Sequence, residues 1–238
     1  WGSFDYSQQE PRLVAHYAAA VDNNFTGADE FIEAYKNEAA DFHQIVADMA
    51  GISRTNAKTI NLGLFYGMGK AKLAKELGIS KDAADNLLNK YHSRVPFVKK
   101  LAEAVTGSAS KYGFIRTIKG RKCRFDMWEP ATFGMNKAMQ YEEAKAIYGN
   151  NIRRAFTYKA LNRLIQGSAA DQTKQAMINC YKAGYMPLLQ IHDELCFSIN
   201  EENDIKGVKE VMENAIENLK VPFKVDVAIG KSWGEAKE

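Results

Sequence analysis

Apolar and polar positions read as strand at the two ends of the chain and as helix through the middle. Trp1-Gly-Ser-Phe-Asp5-Tyr-Ser predicts a short strand that ends in a carboxylate, and Pro11 sits where a first helical turn begins, with helix continuing from Arg12. Residues 29–50 predict amphipathic helix. Ser53 is placed to cap a helix running to Tyr66, halted by the breaker Gly67-Met-Gly69. Further helices are expected over Lys70–Leu77 and Lys81–Ser93, split by Gly78-Ile-Ser80, and over Pro96–Ser108. Tyr112–Phe125 has β character around a Lys119-Gly-Arg-Lys turn, and 126–152 is polar and reads as an irregular insertion. A long helix is expected over 155–183. Two short strands, Leu188–Ile191 and Leu195–Ile199, follow around His192-Asp-Glu194, then a helix over Glu201–Leu219 and a last strand over Phe223–Ile229. This order predicts an α+β chain: a small antiparallel sheet assembled from both ends, with a helical subdomain inserted between them.

Within the helix from Ser53, the residues Arg54, Lys58, Leu62 and Tyr66 fall at steps of four and so share one slowly drifting stripe. Two cations, an apolar residue and an aromatic in that order suit a polyphosphate at one end and a flat ring at the other. A surface helix is the plainer alternative, but like charges at that spacing repel slightly. Charge along the chain points the same way. The net +3 conceals a balance of −7 over residues 1–53, +12 over 54–124 and −2 over 125–238, a basic middle between acidic flanks. The three cysteines (Cys123, Cys180, Cys196) form no C-x-x-C, which indicates neither a disulfide framework nor a zinc site. No apolar run is long enough to span a bilayer, so a membrane partner is not expected. Gly67-Met-Gly69-Lys70-Ala71 fails as a P-loop, because Leu64 stands at the first glycine and Ala71 at the Ser/Thr.

The strongest chemical signal pairs Asp5 with Asp193, each at or next to the end of an apolar strand. A single Asp there is usually a turn residue or a cap. Here Asp193 lies between His192 and Glu194 in an otherwise apolar stretch, where three polar residues cost folding stability that metal or phosphate contact would offset. Carboxylates from two strands, brought side by side, make a hard-oxygen site for a pair of Mg²⁺ ions, with Mn²⁺ able to substitute. Lys58 suits a leaving pyrophosphate and Arg54 a bidentate phosphate contact.

These motifs, in this order, resemble the C-terminal part of a family A DNA polymerase, the type of bacterial DNA polymerase I and some phage replicases. Asp5-Tyr-Ser-Gln-Gln-Glu10-Pro-Arg12 is similar to the family's first motif, Arg54 through Gly67 to its second and His192-Asp193-Glu194 to its third. Gln166-Gly-Ser-Ala-Ala-Asp171 and the ending Gly230-Lys-Ser-Trp233-Gly-Glu-Ala also resemble family segments. The resemblance implies a catalytic palm over 1–40 and 156–238, and fingers over 41–155 with the nucleotide-binding helix at 53–66 and an insertion at about 126–155. It implies metal ligands at Asp5, Asp193 and the Tyr6 carbonyl, with Glu194 a nearby, less essential acid. Nucleotide contacts fall to Glu10 (excluding a ribose 2′-hydroxyl), Arg54, Lys58, Leu62 and Tyr66. Gln166, His192 and Asn162 are assigned to the primer-template, and Lys119, Arg121, Lys122 and Arg124 to DNA phosphates. The partners implied are primer-template DNA and deoxynucleoside triphosphates, in the cytoplasm of a bacterial or phage-infected cell. Leu62 departs from the usual Phe or Tyr, and Gln9 and Pro11 from the usual Ile and Leu. The family's thumb and exonuclease precede the first motif, and four residues precede Asp5. The expectation is therefore an excised fragment or a split polymerase whose second chain carries the thumb. A DNA- and nucleotide-binding module without turnover is the alternative.

Overall fold

A computed structural model describes residues 1–20, 28–36, 41–65, 68–132 and 137–237. In chain order the elements are β1 (Gly2–Tyr6), α1 (Gln9–Ala20), α2 (Ala28–Lys36), α3 (Phe42–Ala50), α4 (Arg54–Phe65), α5 (Lys70–Leu77), α6 (Lys81–Arg94) and α7 (Pro96–Tyr112). The second half holds β2 (Phe114–Arg116), β3 (Lys122–Arg124), β4 (Trp128–Pro130), α8 (Tyr141–Tyr148), β5 (Ile152–Arg154), α9 (Ala160–Lys182), β6 (Pro187–Ile191), β7 (Glu194–Phe197), α10 (Glu202–Glu213) and β8 (Val225–Ile229). The chain divides into two compact units, Trp1–Phe42 with Gln166–Glu238, and His43–Ile165. The architecture is α+β, as expected. Among the described residues no helix is long and apolar enough to cross a membrane.

The first unit carries a four-stranded sheet of order β6-β7-β1-β8 in which every pair is antiparallel. Strand periodicity sorts the residues of β1. Phe4 and Tyr6 share one face with Leu195 and Phe197, and all four are buried. Phe4 and Phe197 meet edge to face at 5.3 Å, and the Tyr6 hydroxyl donates to the Met212 carbonyl of α10 at 2.6 Å. Ser3 and Asp5 point to the opposite face, beside their partners Cys196 and Glu194.

The second unit is largely helical. Ser53 caps α4, its hydroxyl accepting from the Asn56 N–H at 3.2 Å. At the centre lies Asn61, fully buried, paired with His43 Nδ1 of α3 at 3.1 Å and accepting from the Tyr91 hydroxyl of α6 at 2.6 Å. Both polar ends of its amide are thereby satisfied, as burial requires.

Several expected boundaries change. The helix expected over 29–50 is two helices, α2 and α3; residues 37–40 between them lie outside the described set. Helix α7 runs four residues past Ser108, to Tyr112, and ends at Gly113 with φ +76. The Gly113 position also lacks room: an added Cβ would sit 2.6 Å from the Arg154 guanidinium carbon. The 126–152 segment, expected to be irregular, holds regular elements among its described residues. β4 and β5 pair antiparallel, with Arg153 bound to Glu129 at 2.9 Å and the Arg154 guanidinium 4.6 Å over the Trp128 ring, and α8 lies between them in sequence. Helix α9 begins at Ala160 after a short 3₁₀ turn, rather than at 155. Helix α10 stops at Glu213, six residues before the expected Leu219. Asn214 ends it, its backbone N–H and its side-chain amide both donating to the Glu210 carbonyl.

Candidate active site

The first unit gathers the acidic residues. Asp5 pairs in register with Glu194 on one side and with Asp226 on the other, so three carboxylates cross three strands on one sheet face. Sequence reading overlooked Asp226, and the in-register pairing is the signal that locates it. β6 and β7 are joined by the two residues His192 and Asp193, since Ile191 pairs with Glu194. His192 is exposed and takes φ +54, a left-handed conformation unusual for a side chain other than Gly. Asp193 is half-buried at the hairpin tip, and its carbonyl accepts the Tyr6 N–H at 3.4 Å. The hairpin tip therefore lies against the end of β1, beside half-buried Asp5.

Glu194 is 4% exposed, and its Oε1 accepts from Ser3 Oγ at 2.5 Å, Trp233 Nε1 at 3.1 Å and Cys196 Sγ at 3.3 Å. Ser3 and Trp233 were given no role from sequence. They lie far from Glu194 along the chain, and strand register is what brings Ser3 to it. Among the described residues no group of three or more His, Cys, Asp or Glu is arranged to hold a metal ion. The donors at Asp5, Asp193 and the Tyr6 carbonyl are hard oxygens, and the contact between β1 and the hairpin tip brings the strand that carries Asp5 to the turn that carries Asp193. That set fits Mg²⁺.

The turn from β1 into α1 is tightly held. Gln8, with φ +54, accepts from the Phe42 N–H at 2.8 Å. Arg12 is buried, donating to Ser7 O at 2.9 Å and Pro222 O at 2.6 Å and lying 4.4 Å over the Tyr35 ring; burial lowers its pKa. Glu10 is half-buried in the first turn of α1. Gln9, where apolar Ile is usual, is buried and donates to Ala169 O, Gln172 Oε1 and Thr173 Oγ1 at 3.1 to 3.3 Å. The departure is matched by polar partners on α9. Gln166 is exposed on that helix.

In the second unit Arg54 and Lys58 are exposed and Leu62 is half-buried, while Ala57, Ile60 and Asn61 face the core. Tyr66, the expected aromatic end of the stripe, lies outside the described residues. Lys119, Arg121, Lys122 and Arg124 are all exposed on and around the β2–β3 hairpin, with Lys122 Nζ 4.5 Å over the Phe114 ring. Asn162 is half-buried and its Nδ2 has no hydrogen-bond partner among the described residues, a donor that burial penalises unless a ligand satisfies it.

Comparison with known proteins gives a consistent result. The model of DNA polymerase family A matches residues 1–235. A DNA-directed DNA polymerase of Pseudomonas phage M6 is 37% identical over 99% of the chain and 38% of its own length. DNA polymerase I of Lactococcus lactis subsp. cremoris is 36% identical over 99% of the chain and 26% of its own length. Among solved structures, the POL domain of Pol1 from M. smegmatis, in complex with DNA primer-template and dNTP, matches with a TM-score of 0.76 at 32% identity, over all of this chain and 40% of that one. The chain thus spans two fifths or less of the length of these relatives.

Proposed function

The chain belongs to DNA polymerase family A, and from that membership we propose that it takes part in template-directed addition of deoxynucleotides to a primer 3′ end. The observation that carries this reading is the meeting of β1 and the β6–β7 hairpin tip, where β1 pairs with β7 and the Asp193 carbonyl accepts the Tyr6 N–H, so that Asp5 and Asp193, distant in sequence, lie at the same end of the sheet. In this reading the first unit is the palm and the second the fingers. Asp5, Asp193 and the Tyr6 carbonyl hold two Mg²⁺ ions. When bound, those ions favour ionisation of the primer hydroxyl and offset charge on the departing pyrophosphate. Arg54 and Lys58 grip the triphosphate, and as the primer 3′ oxygen bonds to the α-phosphorus and the bond to pyrophosphate breaks, Lys58 donates a proton to that pyrophosphate. Glu10 excludes a ribose 2′-hydroxyl. Asn162, Gln166, His192 and the cations of the β2–β3 hairpin hold the primer-template, positioning it through phosphates more than through bases.

Primer extension by the chain tests it. Asp193→Ala is expected to lower incorporation by a factor of about 10³ or more while DNA binding persists. Equal incorporation with and without Asp193 would sink the assignment. A second reading, a binding module without turnover, is favoured by the exposed cations of the β2–β3 hairpin. It predicts salt-sensitive DNA binding and no extension under any condition.

A further inference from the structure

The Glu194 carboxylate accepts from three donors, and these partners tie three parts of the first unit together. Ser3 belongs to β1, Cys196 to β7, and Trp233 to the segment after β8. That last segment is itself fixed. Gly230 N–H donates to Trp1 O at 3.0 Å, Lys231 N–H to Glu235 Oε2 at 2.9 Å, and Ala236 N–H to Ser232 O at 3.2 Å. Gly230 is needed for the fold-back, since a Cβ there would lie 2.7 Å from the Ala236 nitrogen. Trp233 is nevertheless 43% exposed. Burial in an apolar core therefore does not account for its placement, and its indole N–H is directed at the Glu194 carboxylate.

We propose that Trp233 is a positioning residue: its indole N–H, with the Ser3 hydroxyl, locks the Glu194 carboxylate and so fixes the adjoining Asp193 at the tip of the β6–β7 hairpin. Glu194 is the first residue of β7 and the register partner of Asp5, so its side chain is the point at which the hairpin tip can be braced against β1 from the sheet face. An oxygen already accepting three donors is poorly available to a metal ion. The same geometry accounts for an acid beside Asp193 that is buried rather than presented to solvent. This inference rests on the polymerase reading for its consequence in the reaction, but the brace itself does not.

The chain contains three tryptophans, so selective ¹⁵N-tryptophan labelling of the full chain gives three indole resonances, and Trp233→Phe assigns one of them by its loss. The Trp233 resonance is expected to shift on Glu194→Gln and to show slowed hydrogen exchange in the parent chain. A Trp233 resonance indifferent to Glu194→Gln, in a chain that stays folded, overturns the brace whatever the activity. In extension assays Trp233→Phe, which keeps the ring and removes the donor, is expected to lower kcat by about tenfold with little change in the nucleotide KM. It is also expected to weaken Mn²⁺ binding measured by electron paramagnetic resonance. The double variant Trp233→Phe with Glu194→Gln is expected to be no slower than Glu194→Gln alone. Additive losses, or Mn²⁺ affinity and kcat both unchanged in Trp233→Phe, would overturn the positioning role. If the parent chain neither extends primers nor binds Mn²⁺, the polymerase reading fails while the indole shift still decides the brace.

Discussion

The acidic sheet face of the first unit and the basic face of α4 in the second are built by opposite means. On the sheet, position comes from backbone. Asp5 and Glu194 are register partners, Asp193 occupies a two-residue turn, and Glu194 is held by Ser3, Cys196 and Trp233. On α4, the charges ride on exposed side chains of Arg54 and Lys58, and what is fixed is the opposite side of the helix, through the buried amide of Asn61. The difference matches the chemistry proposed for each face. Hard cations need oxygens at short, set distances, whereas a triphosphate is a large diffuse anion that flexible guanidinium and ammonium groups can follow. Substitutions on the sheet face should therefore act through geometry and those on α4 through charge.

Removing the anchor of α4 is the strongest way to break this contrast without touching a charge. Asn61→Leu removes the acceptor of the buried Tyr91 hydroxyl and breaks the hydrogen bond with His43 Nδ1. It is expected to destabilise the second unit by about 3 kcal/mol in urea unfolding. A loss below about 1 kcal/mol would mean that apolar packing, not the Asn61 network, sets the helix. Lys58→Ala comes next. It should slow nucleotide incorporation by about 10- to 100-fold, with the unfolding midpoint almost unmoved because Lys58 is exposed. Part of that loss should be recovered at low ionic strength. A variant that lost stability and activity together would place Lys58 in the fold rather than in the chemistry.

The sheet unit offers a pH test that α4 does not. His16 on α1 accepts the Lys220 N–H through Nδ1 at 3.2 Å, and burial, with the Lys220 charge second, lowers its pKa to about 4. The unfolded chain then binds a proton near pH 6.5 that the folded chain refuses until about pH 4. Stability is full above pH 6.5 and is lost as the pH falls from there toward 4. His16→Gln is expected to remove about 1 to 2 kcal/mol of that fall between pH 7 and 4.5. Parallel pH profiles for the parent and the variant would show that carboxylates alone account for the loss.

How far each region could be read in advance follows from the same distinction. The strand and hairpin bearing Asp5 and Asp193 were legible, because alternation and a tight two-residue connection are local signals. The partners of Glu194 were not, since Ser3 and Trp233 reach it through register and a terminal fold-back. Asn61 escaped notice because an Asn in a helix reads as a surface residue, although it falls four residues after buried Ala57 on the core-facing side. The 126–155 segment was misread for another reason. Its strands are three residues long, and Arg153 and Arg154 look solvated in sequence while one pairs with Glu129 and the other lies over Trp128. The α10 boundary failed because Val208, Met212 and Ala215 keep a helical period across the Asn214 cap.

Leu62 gives the smallest and most pointed test. It continues the stripe one turn beyond Lys58 and is half-buried, so it lies on the border between the charged face and the core contact of α4. If the border belongs to the nucleotide, Leu62→Phe and Leu62→Tyr should change the ratio of deoxynucleotide to dideoxynucleotide incorporation several-fold. Stability should move by less than about 0.5 kcal/mol, the range of surface substitutions. The Phe and Tyr variants should differ from each other as well, because the Tyr hydroxyl adds a donor that a sugar or phosphate oxygen can accept while the core has no use for it. If instead the unfolding midpoint shifts and the ratio stays fixed, Leu62 is packing, and the nucleotide face of α4 ends at Lys58.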